Sequence, residues 1–159
     1  MRIRPGREAD AVAVAALWTE GYTGTGPEGR KTPYVEADYF EATADGRAFV
    51  AEGEEGRLDG IIVYRPLSSE AHAVAGQGEA EQARLVVAAV ARGRGTGRAL
   101  AELCIEQARA ERASAIALWS RTHQVAAHRL YESLGYRRAP ERDSADADGT
   151  RLVFVRTLS

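Results

Sequence analysis

Seven consecutive residues, Arg92-Gly93-Arg94-Gly95-Thr96-Gly97-Arg98, bring three glycines and three arginines together between an apolar run and a segment of helical periodicity. Glycine removes the side chain where backbone N–H groups must come close to an anion, and a helix N-terminus adds partial positive charge. Arginines at 92, 94 and 98 add charge-assisted hydrogen bonds to phosphate oxygens. The segment therefore reads as a phosphate cradle. It is not a P-loop, which needs a Gly-Lys-Ser/Thr ending, because the only lysine is Lys31. Nor does it carry a dinucleotide fingerprint, because the next strand ends in Trp119-Ser120 rather than in an acidic residue. Cys104, the single cysteine, falls on the apolar face of its helix and reads as core rather than as an acyl carrier. His123 and His128 are five apart, on different helix faces, so no shared metal is expected.

An apolar strand followed by Arg92-Gly93-Arg94-Gly95-Thr96-Gly97 resembles the R/Q-x-x-G-x-G/A signature of the GNAT superfamily of acetyl-CoA-dependent N-acetyltransferases. Downstream, Ala127-His128-Arg129-Leu130-Tyr131-Glu132-Ser133-Leu134-Gly135-Tyr136 is similar to that family's A-x-x-L-Y-x-x-x-G-F/Y element. The order of the two motifs matches as well. Two positions depart from the pattern: Ala89 stands where a proline often follows the motif strand, and Gln124 stands where an asparagine often contacts the cofactor arm.

The resemblance implies an amine attacking the thioester of acetyl-CoA directly, without a covalent enzyme intermediate and without a metal. It assigns the pyrophosphate to backbone N–H groups across Arg92, Gly93, Arg94, Gly95, Thr96, Gly97 and Arg98. The pantetheine arm lies beside Leu85, Val86 and Val87 as an added strand, where the sheet splays open, with Ala127 and His128 bordering it. The Val87 N–H is the implied donor to the thioester carbonyl. A lysine-like amine is neutral in only about one molecule in a thousand at pH 7.4, a deficit of roughly 4 kcal/mol. Glu81, eleven residues before Arg92, is the implied base, with Glu79 as backup, and the Tyr131 phenol is the implied acid for the departing thiolate. A catalytically silent acyl-CoA sensor would use the same cradle.

The elements that must position these residues follow from periodicity and turn signals. Strands are expected at 1–4, 47–52, 58–64, 83–88 and 115–119, with a closing pair at 136–138 and 152–156 around a polar loop at 140–149. Helices are expected from 11 to about 21, over 33–44 with Pro33 at the start, over 96–111 and over 123–134, and residues 21–31 read as a loop. The order βααβββαβαββ predicts an α/β (α+β) fold: one domain over 1–159, a mixed, mostly antiparallel sheet of about seven strands, and helices on both faces.

The 159 residues carry 21 basic and 23 acidic side chains, a formal net charge of −2, which supplies no global positive field for a nucleic acid. No apolar run reaches the roughly 18 residues of a membrane span, and the first residues lack a signal-peptide core. A cytoplasmic protein acting on a small-molecule or peptide amine is expected, with neither nucleic acid nor membrane as partner. The resemblance is compatible with a homodimer, although no exposed apolar stripe argues for one. Glu28, Glu36, Asp38 and Glu41 read as a solvated acidic face more readily than as an attractor for a cationic amine.

Overall fold

A computed structural model describes residues 1–23 and 28–158; the part of the expected glycine-rich loop at 24–27 lies outside the described residues. The described chain forms eight strands and four α-helices. They run β1 (Arg2–Pro5), α1 (Ala11–Tyr22), α2 (Glu36–Thr43), β2 (Arg47–Glu52), β3 (Leu58–Arg65), β4 (Glu79–Val87), α3 (Thr96–Ala110), β5 (Ala115–Ser120), α4 (Val125–Ser133), β6 (Arg137–Arg138), β7 (Ser144–Asp146) and β8 (Gly149–Thr157). The strands lie in the order β1-β2-β3-β4-β5-β8-β6, with β7 pairing β8, and every pairing is antiparallel except β4 with β5. The expected mixed, mostly antiparallel sheet is thus present, with one strand more than foreseen.

Strand alternation sorts the core into two layers. Ala48, Val50, Ile61 and Val63 face α1 and α2, where Val14, Leu17, Trp18 and Tyr39 meet them. Their neighbours Ala51, Ile62 and Tyr64 face the other way, against Leu100, Ala101, Cys104 and Ile105 of α3 and Tyr131 of α4. Burying several such side chains at about 1.5–3 kcal/mol each fixes which face each helix covers. The cysteine is fully buried in the second layer, and burial pushes its thiol pKa up, which suits the core role expected for it.

Three boundaries differ from expectation for physical reasons. The second helix begins at Glu36 and not at Pro33, because the Asp38 carboxylate accepts the Val35 N–H at 2.8 Å and supplies the stop signal for the preceding loop. The strand β4 begins at Glu79, four residues before Ala83, because its polar first half is buried and partnered by distant side chains. The expected polar loop at 140–149 contains β7, which pairs residues 144–146 with 149–151.

Two irregularities of β4 shape the molecule. Opposite β3 the register shifts by one residue between Ala83, which pairs Val63, and Val86, which pairs Ile61. The extra residue is absorbed as a β-bulge around Arg84, whose φ of +53° is left-handed backbone that a non-glycine residue seldom adopts. As a result Ala83 and Val86, an odd number of residues apart, both face α1 and α2. On its other side β4 pairs β5 only at Glu79, Ala80 and Glu81, opposite Ala115, Ile116 and Ala117. Beyond those three pairs the strands separate.

Candidate active site

The separation of β4 from β5 leaves a row of backbone groups from Gln82 to Val87 with no partner strand on that side. The Ala88 N–H donates to Asp59 O on β3 at 2.8 Å, so Gly60 and Val87 form the neighbouring non-hydrogen-bonded pair. By that alternation the N–H and C=O of Val87 point away from β3, into the gap. The Val87 carbonyl accepts the Arg92 Nε at 3.3 Å instead. Val86 is different: its backbone turns to Ile61 and its side chain packs against Gly21 of α1, so it has no free amide to offer in the gap. Glycine at 21 is what admits this contact, since a Cβ there would lie 2.7 Å from Val86 Cγ2.

The gap opens toward the glycine-rich turn. Gly93 and Gly95 take φ of +78° and +81°, and Gly95 is the N-cap of α3, so the turn needs glycine for its backbone conformation. Open space surrounds both positions, which leaves the amides at the helix start approachable. Gly97, the second residue of α3, lies beside Val87 and Leu130. Thr96 is buried because the start of α3 rests on Gly60 of β3, where a Cβ would come within 3.0 Å of Leu100 and 3.2 Å of Thr96. Arg94 is exposed, while Arg98 donates to Ser133 Oγ at 2.5 Å and pairs with Glu102 at 3.6 Å, which ties α3 to α4.

On the opposite wall Gln124, the N-cap of α4, and Ala127 and Tyr131 within that helix line a cavity of about 410 Å³ that also takes in Gln82–Leu85, Tyr22, Tyr34 and the end of β5. Tyr131 is nearly buried, its ring edge-on to Tyr136 at 5.8 Å and tilted against Phe154 at 5.9 Å. Burial raises its pKa, so the phenol keeps its proton at neutral pH. The Gln124 carbonyl accepts the Arg121 N–H at 2.7 Å and the Ser120 hydroxyl at 2.9 Å, holding the end of β5 against the start of α4. His128 does similar work from behind, within 3.0 Å of Arg121 O and 3.2 Å of Ser120 Oγ, its ring tilted against Phe154 with centroids 5.1 Å apart. It lies outside the cavity lining.

Glu81 is placed differently from the sequence expectation. It is 1% exposed and is not among the residues lining the cavity. Its Oε1 accepts the N–H groups of Ala73, Val74 and Ala75 at 3.0, 2.7 and 2.9 Å, and its Oε2 accepts Arg65 at 2.8 Å and Ala73 at 3.0 Å. With both oxygens so occupied, the carboxylate holds the 66–78 loop against the sheet. Glu79, the backup, is tied to Arg142 at 2.7 Å and to the Gly76 N–H at 2.8 Å.

A model of the Acetyltransferase (GNAT) family matches residues 12–136, which span both motifs and the gap between them. The chain belongs to this acetyltransferase family. Over 115 residues it is 32% identical to an N-acetylaspartate synthetase from Danio rerio, a match that covers 72% of this chain and 38% of that relative. The chain thus spans well under half of that relative's length. A ribosomal-protein-alanine N-acetyltransferase from Brucella melitensis has the same fold, with a TM-score of 0.77 at 23% identity over 99% of this chain and 100% of the other. So has a phosphinothricin acetyltransferase from Sinorhizobium meliloti solved with acetyl-CoA, with a TM-score of 0.78 at 18% identity over 99% and 88%.

The charge of this cavity has no counterpart in the sequence motifs. Arg30, Arg65, Arg84, Arg121 and Arg151 line it, against Asp146 and Asp148. Asp146 is shared by Arg121 at 3.0 and 3.1 Å and Arg151 at 3.0 Å, and these arginines pull its carboxyl pKa down to about 2. Both guanidinium groups also lie over the Trp119 ring, at 4.5 and 5.1 Å. These residues come from separate strands and loops, so no local motif announces them.

Proposed function

We propose that the protein is an N-acetyltransferase that moves the acetyl group of acetyl-CoA to a primary amine within a ternary complex. The observation that carries this reading is the unpaired inner edge of β4, which runs into a turn of positive-φ glycines at the start of a helix. An extended amide-bearing arm suits such an edge, and a pyrophosphate suits the turn. Acetyl-CoA supplies the acyl group on a thioester. The backbone amides from Arg92 to Arg98 would hold its pyrophosphate, with Arg94 free to add charge. Leu85 and Val87 would border its arm, and the Val87 N–H would polarise the thioester carbonyl. Ala127 and Gln124 would face it from α4. Tyr131, protonated in its buried position, would return a proton to the sulfur.

The base is where this reading departs from what the motif spacing implies. Glu81 serves as an anchor for the 66–78 loop; the ammonium instead loses its proton to solvent water, a loss favoured by the arginine-rich cavity because nearby positive charge lowers the proton affinity of an ammonium, and the neutral amine then attacks the thioester. Calorimetric titration with acetyl-CoA, followed by CoA release over a panel of primary amines, tests the function. Saturable binding and amine-dependent release are expected. Failure to bind acetyl-CoA, or binding with no turnover on any amine, overturns the enzyme reading.

A further inference from the structure

The cavity that faces the acceptor has a marked charge imbalance. Five arginines line it against two aspartates, and no lysine or glutamate is among the described lining residues. Most of these cations are already engaged: Arg121 and Arg151 with Asp146, and Arg30 with Asp38 at 3.3 Å. Two donors are not. Arg84 Nη1 and Arg65 Nε are buried and have no hydrogen-bond partner. A buried polar group on a charged side chain is rarely left unpaired unless something else is meant to meet it.

Arg84 is also positioned at a cost. It stands at the bulge of β4 with φ of +53°, where Trp18 Nε1 donates to the Arg84 carbonyl at 3.1 Å and the Tyr22 hydroxyl donates to Leu85 O at 2.8 Å. Those two bonds pin the bulge. They hold the guanidinium over the rings of Trp18 and Tyr34, at 5.0 and 5.4 Å from the centroids. Strain that the surroundings sustain in this way is typical of residues placed for a ligand. Arg65 is on the adjacent strand, its Nη1 fixed by Glu81, so its orientation is set as well.

We propose that the acceptor of this acetyltransferase is a small amino-carboxylate, its carboxylate held by Arg84 and Arg65 on the β3–β4 wall of the cavity. The inference rests on the N-acetyltransferase reading above and names its substrate class. The unpartnered donors, Arg84 Nη1 and Arg65 Nε, offer the carboxylate one charge-assisted bond from each guanidinium, and such bonds are stronger than those between neutral groups. A cavity of about 410 Å³ admits a small molecule. The same positive field that attracts the carboxylate keeps the neighbouring amine in its neutral, nucleophilic form.

The test separates binding from turnover. The 159-residue chain, without acetyl-CoA, is titrated by calorimetry with two- to five-carbon mono- and dicarboxylates and with their uncharged amides. At least one acid is expected to bind at least ten-fold more tightly than its amide. Arg84→Gln should abolish that preference and Arg84→Lys should retain part of it, each with a thermal melt to certify folding. Acetyl-CoA affinity should be unchanged in both variants. In parallel, CoA release is followed with amino acids and their matched amides, and the acids should be favoured by ten-fold or more in kcat/KM. Equal affinity for acids and amides, absence of saturable acid binding, or a preference that survives Arg84→Gln overturns the proposal. Turnover that favours uncharged amines refutes the carboxylate subsite while leaving the acetyltransferase reading intact. Failure to bind acetyl-CoA while acids still bind through Arg84 has the opposite meaning, because it refutes the transferase reading alone.

Discussion

Replacing Glu81 by glutamine separates a base from an anchor. The carboxylate accepts five hydrogen bonds, from Arg65 and from three consecutive loop amides, and is 1% exposed. Glutamine retains one acceptor oxygen and turns the other into a donor that confronts either Arg65 or the amides of Ala73–Ala75. Hydrogen bonds to a charged group are worth about 1.5–3 kcal/mol each, and breaking one partner of a buried ion pair costs about 3–5 kcal/mol. About 3–5 kcal/mol is therefore the expected destabilisation, which for a chain of this size corresponds to a drop in Tm of roughly 6–20 °C at about 2–4 °C per kcal/mol. Thermal melts give the stability, and kcat measured well below both melting temperatures gives the chemistry. Expected is a large fall in Tm with kcat within about ten-fold of the parent and the shape of its pH profile kept. An unchanged Tm with kcat down by 10² or more, the range general bases typically command, would refute the anchor role and restore Glu81 as the base.

Other perturbations probe separate parts of the site. Tyr131→Phe keeps the ring packing against Tyr136 and Phe154 and should lower kcat by about 10²–10⁴ with little change in KM; steady-state kinetics with an unaffected kcat would return Tyr131 to a packing role. Gly95→Val should weaken acetyl-CoA binding through the backbone, since φ is +81° while nothing crowds the position; at about 1–3 kcal/mol of strain the expected loss is roughly 5- to 150-fold by calorimetry. Asp146→Asn should cost about 2 kcal/mol near neutral pH. The folded-state pKa of about 2 lies below the ordinary value of 3.8, so the carboxylate contributes fully above about pH 4 and its contribution fades as pH falls toward 2. Denaturant melts of parent and variant should therefore converge in acid, and a gap that persisted at pH 2 would exclude charge as its cause.

The elements that alternate or repeat cleanly are legible in the sequence: β2, β3, β5, α3 and α4 fall within a residue or two of expectation, because their faces are sorted by hydrophobic burial alone. What eludes a local reading is stabilised from a distance. Glu79, Glu81 and Gln82 precede the apolar run at 83–88 that signals the strand, and their partners Arg142, Arg65 and Tyr136 come from elsewhere in the chain and let this polar stretch sit inside a sheet. The bulge at Arg84 has no glycine to signal it; Trp18 and Tyr22, more than sixty positions upstream, hold it in place. The cradle was readable because glycine's conformational role is local. The acceptor wall was not, because its arginines converge only in three dimensions.

Strand pairing cuts the sheet into two halves that are each contiguous along the chain, β1–β4 within residues 2–87 and β5–β8 within 115–157, joined by only three residue pairs. Each half is dominated by antiparallel neighbours of modest sequence separation, the kind of contact that forms early, whereas the parallel join requires the whole intervening helix to be in place. The two halves are therefore natural cooperative units, and the amides of the short join should exchange with solvent earlier than those of the β2–β3 or β5–β8 ladders. The cleft lies along this seam, so the least cooperative line in the molecule is also the one where its chemistry takes place.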